Sequence, residues 1–364
     1  NISCNKDILI TSLVVTRICI YGTTVFFCLL LPYRIYYRNG NKKQYYSLNF
    51  CFQNGNIFVK GGFLCFLALV LLSLFFTMLL FPETVFRGAC DGLLLWYQIL
   101  IPTLFPYLIV TGLLLKTDGA AIVSRLLFRP FHLLFGTSFY GSFAVLSGFL
   151  CGYPMGAKII ADLLLQGKIS LEEASYLLSF CNNASPSFVI TFLVLNTIHQ
   201  KAFCIPALLL LFGTMILLSF LQRILRHFIK NKDWIFPEMS EVFTQENSIF
   251  SKPLTHKMNF SVLESCILNS SETLVKVGGY LMIFSVLLAL LELLPIRLPA
   301  FLLLKSSLEM TNGILLLSQS LSQPQVLYPL LLALTTFGGW CSVAQTQSMI
   351  AGTGLKLSSY IIQN

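Results

Sequence analysis

Charge is what this chain has least of. Only 11% of its 364 residues are Asp, Glu, Lys or Arg, where a soluble domain carries about 25%. Histidine is scarcer still, with four, at positions 132, 199, 227 and 256, and no His-Glu-x-x-His pattern. Gly-x-Ser-x-Gly, Cys-x-x-Cys and Gly-x-x-x-x-Gly-Lys-Ser/Thr are all missing. Those absences argue against a zinc hydrolase, a serine nucleophile, a zinc or disulfide framework and a self-contained ATP-driven pump. Paired aspartates on neighbouring apolar runs are missing too. The sequence therefore points to no catalysis, no metal and no cofactor.

What is abundant is apolar sequence. Hydrophobic residues make up 56% of the chain and mean hydropathy is +0.78, the composition of a polytopic membrane protein in a lipid bilayer. The net charge of +9 does not indicate nucleic acid, because the basic residues cluster in short loops between apolar runs, the pattern that orients membrane helices. Several of the eleven cysteines lie inside apolar runs and read as small reduced hydrophobes.

About 20 apolar residues span a bilayer as a helix. Residues 62–81, 93–115, 202–222 and 273–294 meet that length, with Pro102 and Pro106 expected to kink the second. Arg34, Arg38, Lys42, Lys43 and Lys60 on one side, and the polar loop 223–260 with its six Lys and Arg residues, are expected to be cytoplasmic. The 82–92 segment, with Glu83, Arg87 and Asp91, is then an external loop, and Lys116, Arg125 and Arg129 fall inside.

Three further uncharged stretches fit no simple helix. "SGFLCGYPMGAK" (147–158), "CNNASPS" (181–187) and "FGGWCSVAQTQS" (337–348) each interrupt apolar sequence with glycine, proline or amides. Residues 132–170 read as a re-entrant hairpin, and 171–198 as a helix broken at Asn182–Pro186.

"GFLCGYPMGAKIIADLLLQGKIS" (148–170) aligns loosely with "GGWCSVAQTQSMIAGTGLKLS" (338–358), and the 93–115 helix with the one starting near Thr273. The loop charges give the two halves opposite orientation. The expected fold is therefore all-α and polytopic, with inverted repeats, re-entrant hairpins and broken helices, an arrangement that in secondary transporters places the solute at the repeat interface. The expected organisation is an extension over 1–60, a first repeat over 61–222, a polar loop over 223–260 and a second repeat over 261–364. Residues 1–60 contain no methionine and read either as a first span with a basic loop or as translation upstream of a start near Val59. The second repeat stops soon after "LKLS", so a full-length homologue is expected to continue past Asn364.

Unwound backbone at membrane depth must be buried in protein or line a wet cavity. Gly152, Tyr153, Pro154 and Gly156 expose backbone groups that an anion could satisfy, helped by the N-terminus of a restarting helix and by Lys158. The alternatives are a tight crossing for the glycines, Gly148 included, and a snorkelling lysine. Asn182, Asn183 and Ser185 could bind polar ligand groups or cap half-helices. Gln345, Thr346 and Gln347 form the matching cluster in the second repeat. Glu309 and Asn312, in "SSLEMTNGI", form another, since an acid near membrane depth is a functional candidate; it could equally pair with Lys305. Glu272 and Lys276 read as a structural pair.

"LSGFLCGYPMGAKIIADLLLQGKISLEEASYLLSFCNNASPSFVI", with "VKVGGYLMIFSVL", "LEMTNGI" and "FGGWCSVAQTQSMI", resembles the YlbJ-type sporulation integral membrane proteins, which carry a nucleoside-recognition (Gate) domain. The resemblance covers approximately residues 62 to 364. It implies a spore-forming Firmicute and a multi-pass protein of the cell membrane or of a membrane surrounding the forespore. It also implies a role in moving dipicolinate, a small aromatic dianion, towards the forespore, alongside other sporulation membrane proteins. The alternative is a non-transporting scaffold or receptor for spore envelope assembly.

Overall fold

The computed structural model describes residues 34–39, 42–47, 57–117, 119–230, 259–296 and 298–363. Nearly all of them are helical. The exception is a hairpin in which Arg34–Asn39 pairs antiparallel with Lys42–Ser47. Part of the expected basic loop is thus a β-ribbon. Residues 1–33, 40–41 and 48–56 of that extension, and residues 231–258 of the polar loop, lie outside the described residues.

The chain divides into two units, Asn1–Arg87 with Ala289–Ile296, and Gly88–Leu288 with Arg297–Asn364. The first holds the hairpin, the apolar helix Ile57–Leu80 and the start of the helix Pro82–Leu95. The candidate site lies in the second.

Among the described residues, four helical runs are long and apolar enough to cross a membrane: Pro82–Lys116, Lys201–Ile224, Phe260–Glu292 and Pro324–Ile350. A fifth crossing arises if Gly119–Phe135 and Phe139–Cys151, bent by 85°, count together. Large apolar side chains such as Leu126, Leu133, Phe220 and Val275 stand exposed on these helices, as a lipid-facing surface requires. The protein is a multi-pass α-helical membrane protein.

Two expected boundaries are corrected. The 82–92 segment is helix, not loop, because Glu83, Arg87 and Asp91 recur at the four-residue spacing of one helix face. The run on to Lys116 passes through a π-turn at Trp96–Leu100, where Ile101 N–H donates to Trp96 O. Pro102 follows at once, and a proline cannot complete the normal ladder. The second-half helix begins at Phe260, well before Thr273.

The 88–116 and 260–288 segments cross antiparallel. Trp96 Nε1 donates to Leu274 O at 2.9 Å and Lys116 Nζ to Ser265 Oγ at 2.7 Å. A Cβ on Gly92 would lie 2.9 Å from Met282 Cα, and one on Gly278 would lie 2.7 Å from the Trp96 ring. These contacts exchange with one another: Gly92 receives the residue four beyond Gly278, and Gly278 the residue four beyond Gly92.

The same offset relates the breaks. Gly152 and Gly338 end the helices Phe139–Cys151 and Pro324–Phe337 at φ 79° and 74°, and Gly167 and Gly352, one residue off that offset, lie in the next turns at φ 66° and 79°. The helices Leu171–Cys181 and Leu357–Gln363 begin in register after them. Matching by element thus pairs Gly152 with Gly338, four residues from the sequence alignment that paired Gly148 with Gly338.

Candidate functional site

The first break is a tight helical hairpin. Ser138 opens its first helix, accepting from Gly141 N–H at 3.1 Å. Its backbone N–H donates to the buried carboxylate of Glu173 at 2.7 Å, so an acid on the third helix caps the first. The helix ends at Gly152, the Tyr153–Pro154 peptide is cis, and Met155–Leu165 follows. Cβ atoms on Gly148 and Gly156 would lie 2.3 and 2.2 Å from the Cys181 carbonyl oxygen. Both arms of the hairpin therefore close on the end of the Leu171–Cys181 helix, and the tight-crossing alternative accounts for these two glycines.

Asn182 is the junction of the site. It is buried at 1% exposure, and its Nδ2 donates to Thr346 Oγ1 at 2.7 Å and to Tyr360 Oη at 3.0 Å. Its Oδ1 accepts from Ala157 N–H at 3.3 Å. One amide thus ties the restart of the hairpin to two helices of the second half. Asn183 donates to Phe180 O at 2.8 Å, closing its own helix end, and accepts from Tyr153 Oη at 3.4 Å. Tyr153 Oη also donates to Thr336 O, and its ring lies where a Cβ on Gly338 would stand. The two breaks meet directly, in packed contact.

The other expected residues spread out. Ser185 Oγ accepts from Phe188 N–H at 3.2 Å, starting the π-helical segment Phe188–Ile198, and its backbone packs on Gly152. Gln345 is buried and turns back on Cys341 Sγ at 3.3 Å, while Gln347 is exposed on the same helix. Thr346, between them, makes the contact to Asn182. Glu309 is buried and caps the helix Met310–Ser320, accepting from Thr311 and Asn312 N–H at 3.0 and 2.7 Å. Asn312 Nδ2 donates to Ser285 Oγ at 3.2 Å. Lys305 instead lies over the Phe301 ring.

Lys158 is on a different wall. It pairs with Asp162 at 2.5 Å and borders a partly open groove with a cavity of about 100 Å³. The helices Ile101–Lys116, Met155–Leu165 and Phe260–Glu292 line it, with Lys116, Asn269, Ser270 and Thr273 facing it. Lys158 thus sits apart from Asn182 and Asn183. Two residues outside the expected set also matter here: Tyr360, bonded to Asn182, and Glu173, which caps the first helix of the hairpin.

Glycine-broken helices, an antiparallel crossing whose contacts exchange between the halves, and a buried amide joining both define a multi-pass membrane protein of repeat architecture. The chain is similar to a sporulation integral membrane protein, YlbJ, of Bacillus subtilis (strain 168), with 25% identity over 313 residues, 79% of this chain and 75% of that protein. At that distance it is a distant relative of a sporulation membrane protein. No family model matches the chain, and no solved structure does.

Proposed function

We propose that this protein is a transporter or channel for a small organic anion, with dipicolinate the first solute to test, acting in a membrane around the forespore. Gate-type nucleoside recognition enters only as a likeness of architecture. The reading assigns no catalysis, and places the Lys116 and Phe260 helix ends on the cytoplasmic side. The observation that carries it is the meeting of the two breaks, Tyr153 on Gly338 and Asn182 on Thr346 and Tyr360. Three hydrogen bonds join the halves there, each worth about 0.5–1.5 kcal/mol net. Their sum is a few kcal/mol, comparable with the gaps between populated conformers. The contact can therefore open and close as a gate.

One observation favours a second reading, a non-transporting scaffold or receptor that works beside other sporulation membrane proteins. Among the described residues, Ser124 Oγ is the one buried side-chain N or O atom without a hydrogen-bond partner, so the crossing is satisfied without a guest. Uptake of dipicolinate into liposomes carrying the full-length protein separates the two. Saturable uptake above empty liposomes supports transport; uptake equal to empty liposomes sinks it.

A further inference from the structure

We propose that the helix Gly119–Phe135 lies in the plane of the membrane surface and binds the headgroups of anionic phospholipids along its Arg125–Arg129 edge. This does not depend on any transport activity.

Both ends of the helix are tied to the ends of membrane spans. Its start follows closely on Lys116, the last residue of the Pro82–Lys116 span. Its last turn is held by the Lys201–Ile224 span, whose Arg223 Nη1 donates to Leu134 O at 3.3 Å. A cation on the final carbonyls suits the negative end of a helix. The loop charges set Lys116 and the loop after Gln222 on the same side of the membrane. A helix with both ends at one surface does not cross. The 85° bend into Phe139–Cys151 fits this: when one of the pair follows the membrane normal, the other lies across it. The two are therefore not one span.

The helix also has three faces, as a surface-lying helix beside a protein needs. Ala121, Ser124, Phe128 and Phe135 are buried against the protein. Ile122, Leu126 and Leu133, at spacings of four and seven, form an outward stripe and are 54%, 80% and 80% exposed. Arg125 and Arg129, four apart and both exposed, form the edge between them. A crossing would set both arginines within about 3 Å of the helix midpoint, facing lipid near the bilayer centre, where a charge is costly. In the plane the leucines enter the acyl region while both guanidinium groups reach phosphate level. Guanidinium groups match phosphate oxygens in charge and geometry, so anionic headgroups are the partner this edge fits.

The test reads the depth of spin labels on the full-length protein, with native cysteines replaced, in liposomes of phosphatidylglycerol and phosphatidylcholine. Labels on Leu126→Cys and Leu133→Cys are expected at the same depth, just beneath the headgroups. Labels on Leu210→Cys and Leu217→Cys, equally spaced and exposed on the Lys201–Ile224 span, are expected to differ by about 10 Å. A difference of that size between Leu126 and Leu133 overturns the proposal. The headgroup is read by a fluorophore on Leu133→Cys, quenched by brominated phosphatidylglycerol or brominated phosphatidylcholine. Phosphatidylglycerol is expected to be favoured about fivefold. That preference should vanish in Arg125→Gln/Arg129→Gln and persist in Arg125→Lys/Arg129→Lys. Equal quenching by the two lipids with both arginines present, or a preference that survives their neutralisation, overturns the assignment. Should the glutamine variant fail to fold, the comparison of the two lipids with both arginines present still decides.

Discussion

The Asn182 crossing and the Lys158 groove look like one polar neighbourhood along the chain and are two opposite environments in space. At the crossing, Asn182, Thr346 and Tyr360 are each at most 1% exposed, and Asn182 donates to both of the others. At the groove, Lys158 and Asp162 hold a partly open pair beside unfilled space. Buried amides without water must find protein partners or cost the structure dearly, so the crossing is built for fit. Charges at a partly open wall keep some solvation, so the groove can exchange partners. Under the transport proposal, the first region supplies fit and the second keeps room for exchange.

That division can be broken at the crossing first. Gly156→Ala pushes a Cβ to 2.2 Å from Cys181 O and should cost about 3 kcal/mol or more, read as lost monodispersity and a lower Tm in detergent. Gly213→Ala, with nothing within 4 Å of its added Cβ, should behave as wild type. Next, Asn182→Ala removes its bonds with the Ala157 N–H and the Thr346 and Tyr360 hydroxyls, for a loss of about 2–3 kcal/mol in chemical denaturation. Tyr153→Phe removes its bond to Thr336 O but keeps the ring on Gly338, and should cost about 1 kcal/mol. A small change in stability is expected at the groove: Lys158→Met should stay within about 1 kcal/mol of wild type. A large stability loss in Lys158→Met, or none in Asn182→Ala, would reverse the two assignments.

Much of the fold could be read from residue patterns because a bilayer makes few demands and makes them strongly. Long apolar runs became helices, and the breakers at Gly152–Pro154 and Asn182–Pro186 became breaks. Charge was the misleading signal. Glu83, Arg87 and Asp91 suggested a loop, although their four-residue spacing was that of a helix face. The repeat was visible but four residues out of register, since Gly-x-x-Cys recurs in both halves by composition while the positive-φ glycines mark the structural equivalence. Glu173 and Tyr360 were illegible because their roles depend on partners far away in sequence, Ser138 and Asn182.

The most direct test of the meeting of the two halves is a cross-link across it. In a full-length background with the native cysteines replaced, Asn182→Cys and Thr346→Cys are joined by a short bifunctional thiol reagent, and dipicolinate uptake into liposomes is followed before and after. The expected result is an efficient cross-link that abolishes uptake, restored when a cleavable linker is cut. Failure of the pair to cross-link, or full uptake through the cross-linked protein, would contradict it.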